Sequence, residues 1–337
     1  NPEVGVTFLD FQTGDTLQLS GTAQISWEAD VLDGAERVTI LTIRQVVRTR
    51  GATNYRWTRP DYSPYNPALQ CHLGQQQEHV SSNTQSRRSS IYPVTVTLAK
   101  IVAESPAVKT FRFLAPRTIS FLPGQYATFQ FHGITDEQSP IVRTWTLSET
   151  PNSIKGDNTL DISVKRKDGG FFSNWLHDRA ELGLQAELLG IGGEMTPITV
   201  HDSVATTPSH LLLISGGIGM TPNLAIVRGL GAFGVEKNSK VTMIHQERHE
   251  NELPFQEELT RRARTYPDFQ YVNFITSGSS SHQSGRMTQP ALEKLVEDPD
   301  KQTCYLCGPP GFMRSVASML VELGVKSAAI HTENFDF

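Results

Sequence analysis

The chain is 337 residues long, 38% hydrophobic and 19% charged, with a formal net charge of −5. That length suggests two or three domains, and the composition is that of globular protein rather than disordered chain. The negative balance argues against a broad nucleic-acid-binding surface, and no apolar run approaches the roughly 20 residues needed to span a bilayer.

The opening residues, NPEVGVTF, carry neither the basic stretch nor the apolar run of a secretory leader. They also lack Met, so the chain is expected to be processed or to be part of a longer polypeptide. Three cysteines, Cys71, Cys304 and Cys307, make no disulfide framework and fit a reducing, cytoplasmic compartment.

Residues 1–70 contain three β-type runs, Val6–Phe11, Leu17–Trp27 and Val38–Arg48, separated by the turn signals Thr13-Gly14-Asp15 and Asp33-Gly34. So few strands make a thin sheet, marginal alone, and this segment reads as a piece of a larger barrel or of an assembly. The stretch FLDFQTGDTLQLSGTAQISW resembles part of the pyridoxamine-phosphate-oxidase-like split-barrel flavin proteins. The resemblance implies a fragment of such a domain and assigns it no flavin contacts. Residues 71–90 are polar and rich in Ser and Gln, and read as a linker; the alternative is a long surface loop.

From residue 91 to about 205 the β pattern resumes. Strands are predicted at Val94–Val102, Thr110–Leu114, Tyr126–Phe131, Arg143–Ser148, Thr159–Arg166 and Leu184–Leu189, with one short helix over Ser173–Ala180. Short, evenly spaced strands imply a small antiparallel barrel.

Residues 206–337 alternate strand and helix. Strands Leu211–Ile214, Val241–His245, Gln270–Ile275, Thr303–Leu306 and Ala328–Thr332 are separated by helices Asn223–Phe233, Phe255–Thr265, Gln289–Val296 and Phe312–Leu323. This is the pattern of an α/β domain with a five-stranded parallel sheet covered on both faces.

Four constellations carry chemistry. In LLLISGGIGMTP, residues 211–222, a buried strand meets a turn of Gly216, Gly217 and Gly219; Thr221 and Pro222 stand where an N-cap and first helical residue belong. Such a turn admits a phosphate close to the backbone at a helix start, although an ordinary tight βα turn has the same look. The strand RTWTL places Arg143, Trp145 and Leu147 on one face and Thr144 and Thr146 on the other. Arg can grip a phosphate and Trp can cover a flat ring; the bland alternative is an exposed Arg beside a core Trp. In KRKDGGFFSNWLH, Lys165 leads through Gly170 to Ser173 at a helix start, a second candidate anion site or a plain turn and cap, with His177 read as packing. Cys304 and Cys307 form a C-x-x-C that is not read as a metal site, because residues three apart on a strand face opposite ways and no second pair exists. Cys307 and Gly308-Pro309 fall at the sheet edge where ligands of open α/β folds bind.

Taken with Pro123-Gly124-Gln125-Tyr126 and IHTENF at 330–335, these motifs stand in the order found in one family. Residues 92–337 resemble the ferredoxin–NADP reductase superfamily, in particular the reductase module of flavohaemoglobins. The resemblance implies an FAD held by Arg143, Ser173 and the backbone after Gly170; Thr144 and Lys165 are counted among the cofactor-binding residues. It implies that Tyr126 and Trp145 flank the flavin and that Thr146 stands beside flavin N5. It assigns Gly216, Gly217, Ile218, Gly219, Met220, Thr221 and Pro222 to the NAD(P)H pyrophosphate. Cys307, Gly308 and Pro309 come under the nicotinamide, and Glu333 and Phe335 near the isoalloxazine. Trp145 departs from the family's usual Tyr, and the tail ENFDF differs from the flavohaemoglobin ending. No globin-like segment and no C-x4-C-x2-C spacing is present, so the expected acceptor is a separate redox partner or small molecule. The implied activity is hydride transfer from NAD(P)H to FAD; the alternative is a flavin-binding docking subunit without turnover. Arg248 after the second strand favours a 2′-phosphate and Glu247 opposes one, which leaves NADH and NADPH even.

Overall fold

In a computed structural model the described residues are 3–10, 13–26, 38–53, 92–134, 140–150, 157–201, 204–278 and 281–333. The predicted linker and Phe335 lie outside them, as do Phe11 and Trp27 at the ends of predicted strands. The chain divides into two compact units, residues 1–89 and 90–337.

The first unit is an antiparallel meander of β1 (Glu3–Leu9), β2 (Thr16–Ser26) and β3 (Val38–Thr49). Gly14, at φ 72°, turns the β1–β2 connection, where Asp15 takes the Gly51 N–H and pairs with Arg48. A bulge at Ser20/Gly21 needs glycine: a Cβ on Gly21 would lie 2.0 Å from the Thr42 carbonyl oxygen. Phe8, Ile40, Ile43 and Val46 are exposed.

The second unit opens with a six-stranded antiparallel sheet. Its strands are β4 (Val94–Ala103), β5 (Val108–Leu114), β6 (Tyr126–Phe131), β7 (Ile141–Thr146), β8 (Thr159–Lys165) and β9 (Gln185–Gly192), in the order β7-β6-β9-β4-β5-β8. A bridge from Leu147 to Ile162 brings the two edges together, so the sheet curls into the expected barrel. Its centre is aromatic. Phe129 lies 5.4 Å from Phe113, 6.4 Å from Phe131 and 6.0 Å from Trp145 between ring centroids, and Phe131 continues to Phe172 at 4.9 Å. Helix α1 (Phe171–Arg179) closes one end by burying Phe172, Leu176 and His177. It begins two residues before Ser173, so the predicted start at Ser173 is corrected. Gly170 is the cap residue, and in the first turn Phe172 is buried while Phe171 is exposed.

After a small hairpin of β10 (Thr199–His201) and β11 (Val204–Thr206) comes a parallel sheet. It comprises β12 (His210–Gly216), β13 (Lys240–Glu247), β14 (Phe269–Ile275), β15 (Gln283–Ser284), β16 (Thr303–Cys307) and β17 (Ile330–Glu333) in the order β15-β14-β13-β12-β16-β17. The five predicted strands are present; β15 adds a sixth, a two-residue edge too short and polar to leave a hydrophobic signature. Strands β12, β13 and β16 are buried almost throughout, as expected for a parallel sheet covered on both sides. The covering helices are α2 (Met220–Ala232), α3 (Gln256–Thr265), α4 (Gln289–Glu293) and α5 (Pro310–Glu322). One face packs Leu211, Leu213, Met243 and Cys307 with residues of α2 and α3; the other packs Leu212, Ile214, Ile244 and Cys304 with residues of α4 and α5. Among the described residues no helix is long and apolar enough to cross a membrane.

Phe129, fully buried at the centre of the aromatic chain, should be the keystone of the barrel. Phe129→Ala is expected to cost about 3–5 kcal/mol, read as a drop in the urea midpoint. A loss under about 1 kcal/mol would show that the barrel does not depend on this core.

Candidate functional site

The Gly-rich turn lies at the C-terminal edge of the parallel sheet. Strand β12 ends at Gly216, Gly217–Gly219 make one tight 3₁₀ turn, and α2 begins at Met220. The predicted cap is therefore corrected: Thr221 and Pro222 sit inside the first helical turn, and the Thr221 hydroxyl donates back to the Ile218 carbonyl at 3.2 Å. The 3₁₀ turn of Gly217–Gly219 runs directly into Met220 and moves the start forward. The initial N–H groups of such a run have no acceptor inside it, so the anion-binding character of the turn is kept.

Two glycines make the turn possible. Gly217 has φ 56° and faces open space, whereas a Cβ on Gly219 would lie 2.5 Å from the Cys307 carbonyl oxygen. The parallel register pairs Ser215 with Cys307, and Cys307 in turn with Glu333. Nucleotide turn, Cys307 and Glu333 thus stand on three neighbouring strands. Burial, and then the Glu333 carboxylate, push the Cys307 thiol well above its usual pKa. It is a neutral thiol at physiological pH rather than a nucleophile. Cys304 belongs to the opposite face of the sheet.

A cavity of about 640 Å³ opens over this edge. Its walls are Gly216–Gly219, Gly308, Pro309 and Phe312 on one side and Gln246, Arg248, Thr276 and Arg286 on the other. Phe312 packs beneath both glycine turns: a Cβ on Gly216 or Gly308 would come within 3.1 or 2.9 Å of its ring. Gln246, Thr276 and Arg286 escaped the sequence reading because each is an ordinary polar residue outside the motifs, and Phe312, within the stretch that follows Cys307, was given no role in the site; only the register places them together.

The barrel approaches the same sheet edge through Tyr126 and Gly193. Tyr126 and Thr146 are direct partners across β6 and β7, and Tyr126 is opposite Gly192 on β9. A Cβ on Gly193, whose φ is 100°, would lie 2.9 Å from the Tyr126 ring and 3.2 Å from Glu333 Oε1. This glycine therefore lets Glu333 of the nucleotide sheet approach Tyr126 of the barrel. Thr146 is 3% exposed, and its Oγ1 has no hydrogen-bond partner among the described residues. A buried orphan hydroxyl costs about 1–3 kcal/mol, a cost that a ligand nitrogen or oxygen at this place would relieve.

The anion-binding group of the barrel is more dispersed. Arg143 is exposed and its guanidinium lies 5.9 Å over the Phe172 ring, next to the first turn of α1. Trp145 stacks on Phe172 at 6.0 Å and is half-buried against the aromatic core, so it belongs as much to the core as to a ring cover. Thr144 pairs with the Thr128 hydroxyl at 3.1 Å. Ser173 Oγ accepts the Lys167 N–H at 3.3 Å, and a Cβ on Gly170 would lie 2.8 Å from that oxygen. His177 packs as expected, its Nε2 2.9 Å from the Val164 carbonyl. Lys165 turns away from Ser173: its Nζ donates to Glu247 at 2.9 Å and to Glu252 at 3.3 Å, so it lines the nucleotide cavity. Glu247 is thereby buried and ion-paired, and it lines the same cavity as Arg248. Nothing in the spacing of Lys165 and Glu247, 82 residues apart, announces this pair.

These domains are known ones. Residues 95–196 match the family described as oxidoreductase FAD-binding domain, and residues 213–318 match the oxidoreductase NAD-binding domain. The chain belongs to the ferredoxin–NADP reductase superfamily. Over 247 residues this reductase-family chain is 28% identical to the glycine betaine monooxygenase reductase subunit of Chromohalobacter salexigens, covering 71% of this chain and 63% of that protein. It is 26% identical over 249 residues to the 3-ketosteroid-9-alpha-monooxygenase ferredoxin reductase component of Mycobacterium tuberculosis, covering 71% and 64%. It therefore spans under two thirds of the length of these curated relatives. Among solved structures, the flavohaemoglobin-like FAD/NAD-binding domain of nitric oxide dioxygenase from Vibrio cholerae O1 biovar El Tor superposes with a TM-score of 0.62. It is 26% identical, with 72% of this chain and 98% of that chain covered. Flavohaemoglobin from Malassezia yamatoensis, with bound FAD and haem, gives a TM-score of 0.62 at 26% identity, covering 73% and 60%. The residues of the reductase-family site fit both cofactors: the orphan Thr146 hydroxyl faces a need that a flavin nitrogen meets, and the open glycine turn suits a pyrophosphate.

One buried group gives the nucleotide domain a pH signature. His245 is fully buried, its Nδ1 is 2.9 Å from Ser215 Oγ, and burial, aided by Lys165, lowers its pKa to about 3. The unfolded chain takes up that proton near pH 6.5, the folded chain only near 3. Between these values the unfolded state holds more protons, so stability is full above pH 6.5 and falls as pH falls toward 3. His245→Asn should flatten the decline in urea midpoint between pH 7 and 4. Parallel curves for the two proteins would show that His245 does not carry this linkage.

Proposed function

We propose that this chain is an NAD(P)H-dependent flavoprotein reductase whose electrons leave for a separate acceptor. Bound FAD supplies an N5 atom that accepts hydride and a ring system that releases electrons to an acceptor. The observation that carries the reading is the convergence of Thr146, Tyr126, Glu333 and Cys307 from two domains beside the glycine turn.

Each residue has a physical role. The turn from Gly216 to Thr221 holds the pyrophosphate with backbone N–H groups and the helix start, a contact that needs no side chain. Arg143, Ser173 and the backbone after Gly170 hold the flavin diphosphate. Thr146 satisfies its own orphan hydroxyl on the flavin and thereby orients the ring. Tyr126 walls the ring, and the neutral Cys307, with Gly308 and Pro309, gives the nicotinamide a close, uncharged floor. No proton must be abstracted, so no acid–base dyad is required; position and exclusion of water do the work. The relatives named as monooxygenase reductase components support an oxygenase or ferredoxin component as the acceptor. The rival reading, a docking subunit without turnover, leaves the built nucleotide cavity unexplained.

Two measurements test this. Anaerobic NADH or NADPH should bleach the visible absorbance of the FAD-loaded protein; if neither does, the reductase reading fails. Thr146→Val should slow that bleaching by about a hundredfold while nucleotide affinity is retained. Bleaching at the wild-type rate would remove Thr146 from the site.

A further inference from the structure

The glycine turn and the flavin wall belong to different domains, so something must set the distance between them. Helix α2 grows directly out of the nucleotide turn at Met220. Eight residues along, about 12 Å at 1.5 Å per residue, it presents Arg228 and Gly229 to the barrel.

Arg228 is held on every edge. Its Nη1 donates to the Ser148 carbonyl at 2.6 Å. Its Nε and Nη2 grip Glu258 of α3 at 2.9 and 2.5 Å, and the guanidinium lies 5.3 Å over the Phe255 ring. The side chain is only 16% exposed. Ser148 is two residues beyond Thr146 on the same stretch of chain. Its own hydroxyl joins Ser163 at 2.8 Å, and Ser163 joins Thr110 at 2.8 Å, so this stretch is anchored within the barrel as well. The neighbouring Gly229 sits against Pro123: a Cβ there would lie 2.2 Å from the Pro123 ring. Pro123 leads into β6 three residues before Tyr126. The two partnered residues Tyr126 and Thr146 are therefore each tied, within three residues, to adjacent positions of one helix.

We propose that Arg228 is a positioning residue for hydride transfer, and that α2 is a strut fixing the separation between the nucleotide cradle at its start and the flavin strands at Arg228 and Gly229. This inference rests on the reductase reading. A planar, rigid guanidinium suits the task, because one group can serve the Ser148 carbonyl and the Glu258 carboxylate in fixed directions. Hydride transfer falls steeply when donor and acceptor drift apart by even 1 Å, so a loosened strut should act on rate before affinity.

The test uses the FAD-loaded protein and two variants. Arg228→Met removes all three hydrogen bonds. Arg228→Lys keeps a cation for Glu258 but lacks the fork that reaches Ser148 as well, and it guards against a misfolded Met variant. Stopped-flow reduction by the nucleotide that bleaches the wild type should slow roughly 10- to 100-fold in the variants, with the nucleotide dissociation constant changed less than about threefold. Amide exchange over residues 123–127 and 146–150 should rise in the variants while the rest of the barrel keeps its protection. Wild-type rates together with unchanged exchange in both variants would overturn the strut. If the wild type is reduced by neither nucleotide, the reductase reading fails instead, and the exchange data alone then judge whether Arg228 seats the flavin strands.

Discussion

The structure of the reductase pair turns on one close approach. The Gly-rich turn after β12 passes so near the Cys307 carbonyl that no side chain fits at Gly219. That contact brings the end of β12 against the end of β16, and Phe312 fills the space beneath Gly216 and Gly308. Everything functional is arranged about this edge. The turn must be tight for α2 to start there, and α2 must start there for Arg228 and Gly229 to reach the barrel. A sheet whose central strands are buried on both faces supplies the rigidity that such a contact needs.

The electrostatics of the site follow the same economy. The buried acid Glu247 is matched by Lys165 from the barrel, with Glu252 as a second partner. His245 stays neutral because burial and the nearby ammonium both oppose its protonation. Cys307 keeps its proton because burial and Glu333 both oppose a thiolate. The stretch of the cavity at Gly308 and Pro309 is therefore uncharged, and the cations Arg248 and Arg286 line the same cavity. Such a distribution suits a ligand that is anionic along its phosphates and carries a flat ring at one end.

How much of this was legible varies by residue type. Glycine turns, the alternation of RTWTL and the strand–helix rhythm after residue 206 follow from local physics, and they placed the barrel, the parallel sheet and the nucleotide turn. The helix starts at Met220 and Phe171 were misplaced by two or three residues, because capping preferences are weaker than the packing of Phe172 and the close contact at Gly219. The reading of Lys165 as part of an anion site at Ser173 was local too, and a partner 82 residues away directs its ammonium into the cavity instead.

By itself the amino-acid sequence determined what depends on neighbours along the chain: which longer segments are strands, that the turn after β12 is built of glycine, and that Cys304 and Cys307 face opposite ways. Those properties come from sterics and from the periods of helix and strand, which operate within a few residues. Only the tertiary structure decided that Glu333 meets Tyr126 across Gly193, that Lys165 pairs with Glu247, and that Arg228 reaches Ser148. Such contacts join segments separated by tens to hundreds of residues, and their existence depends on strand order and register, which no local pattern encodes.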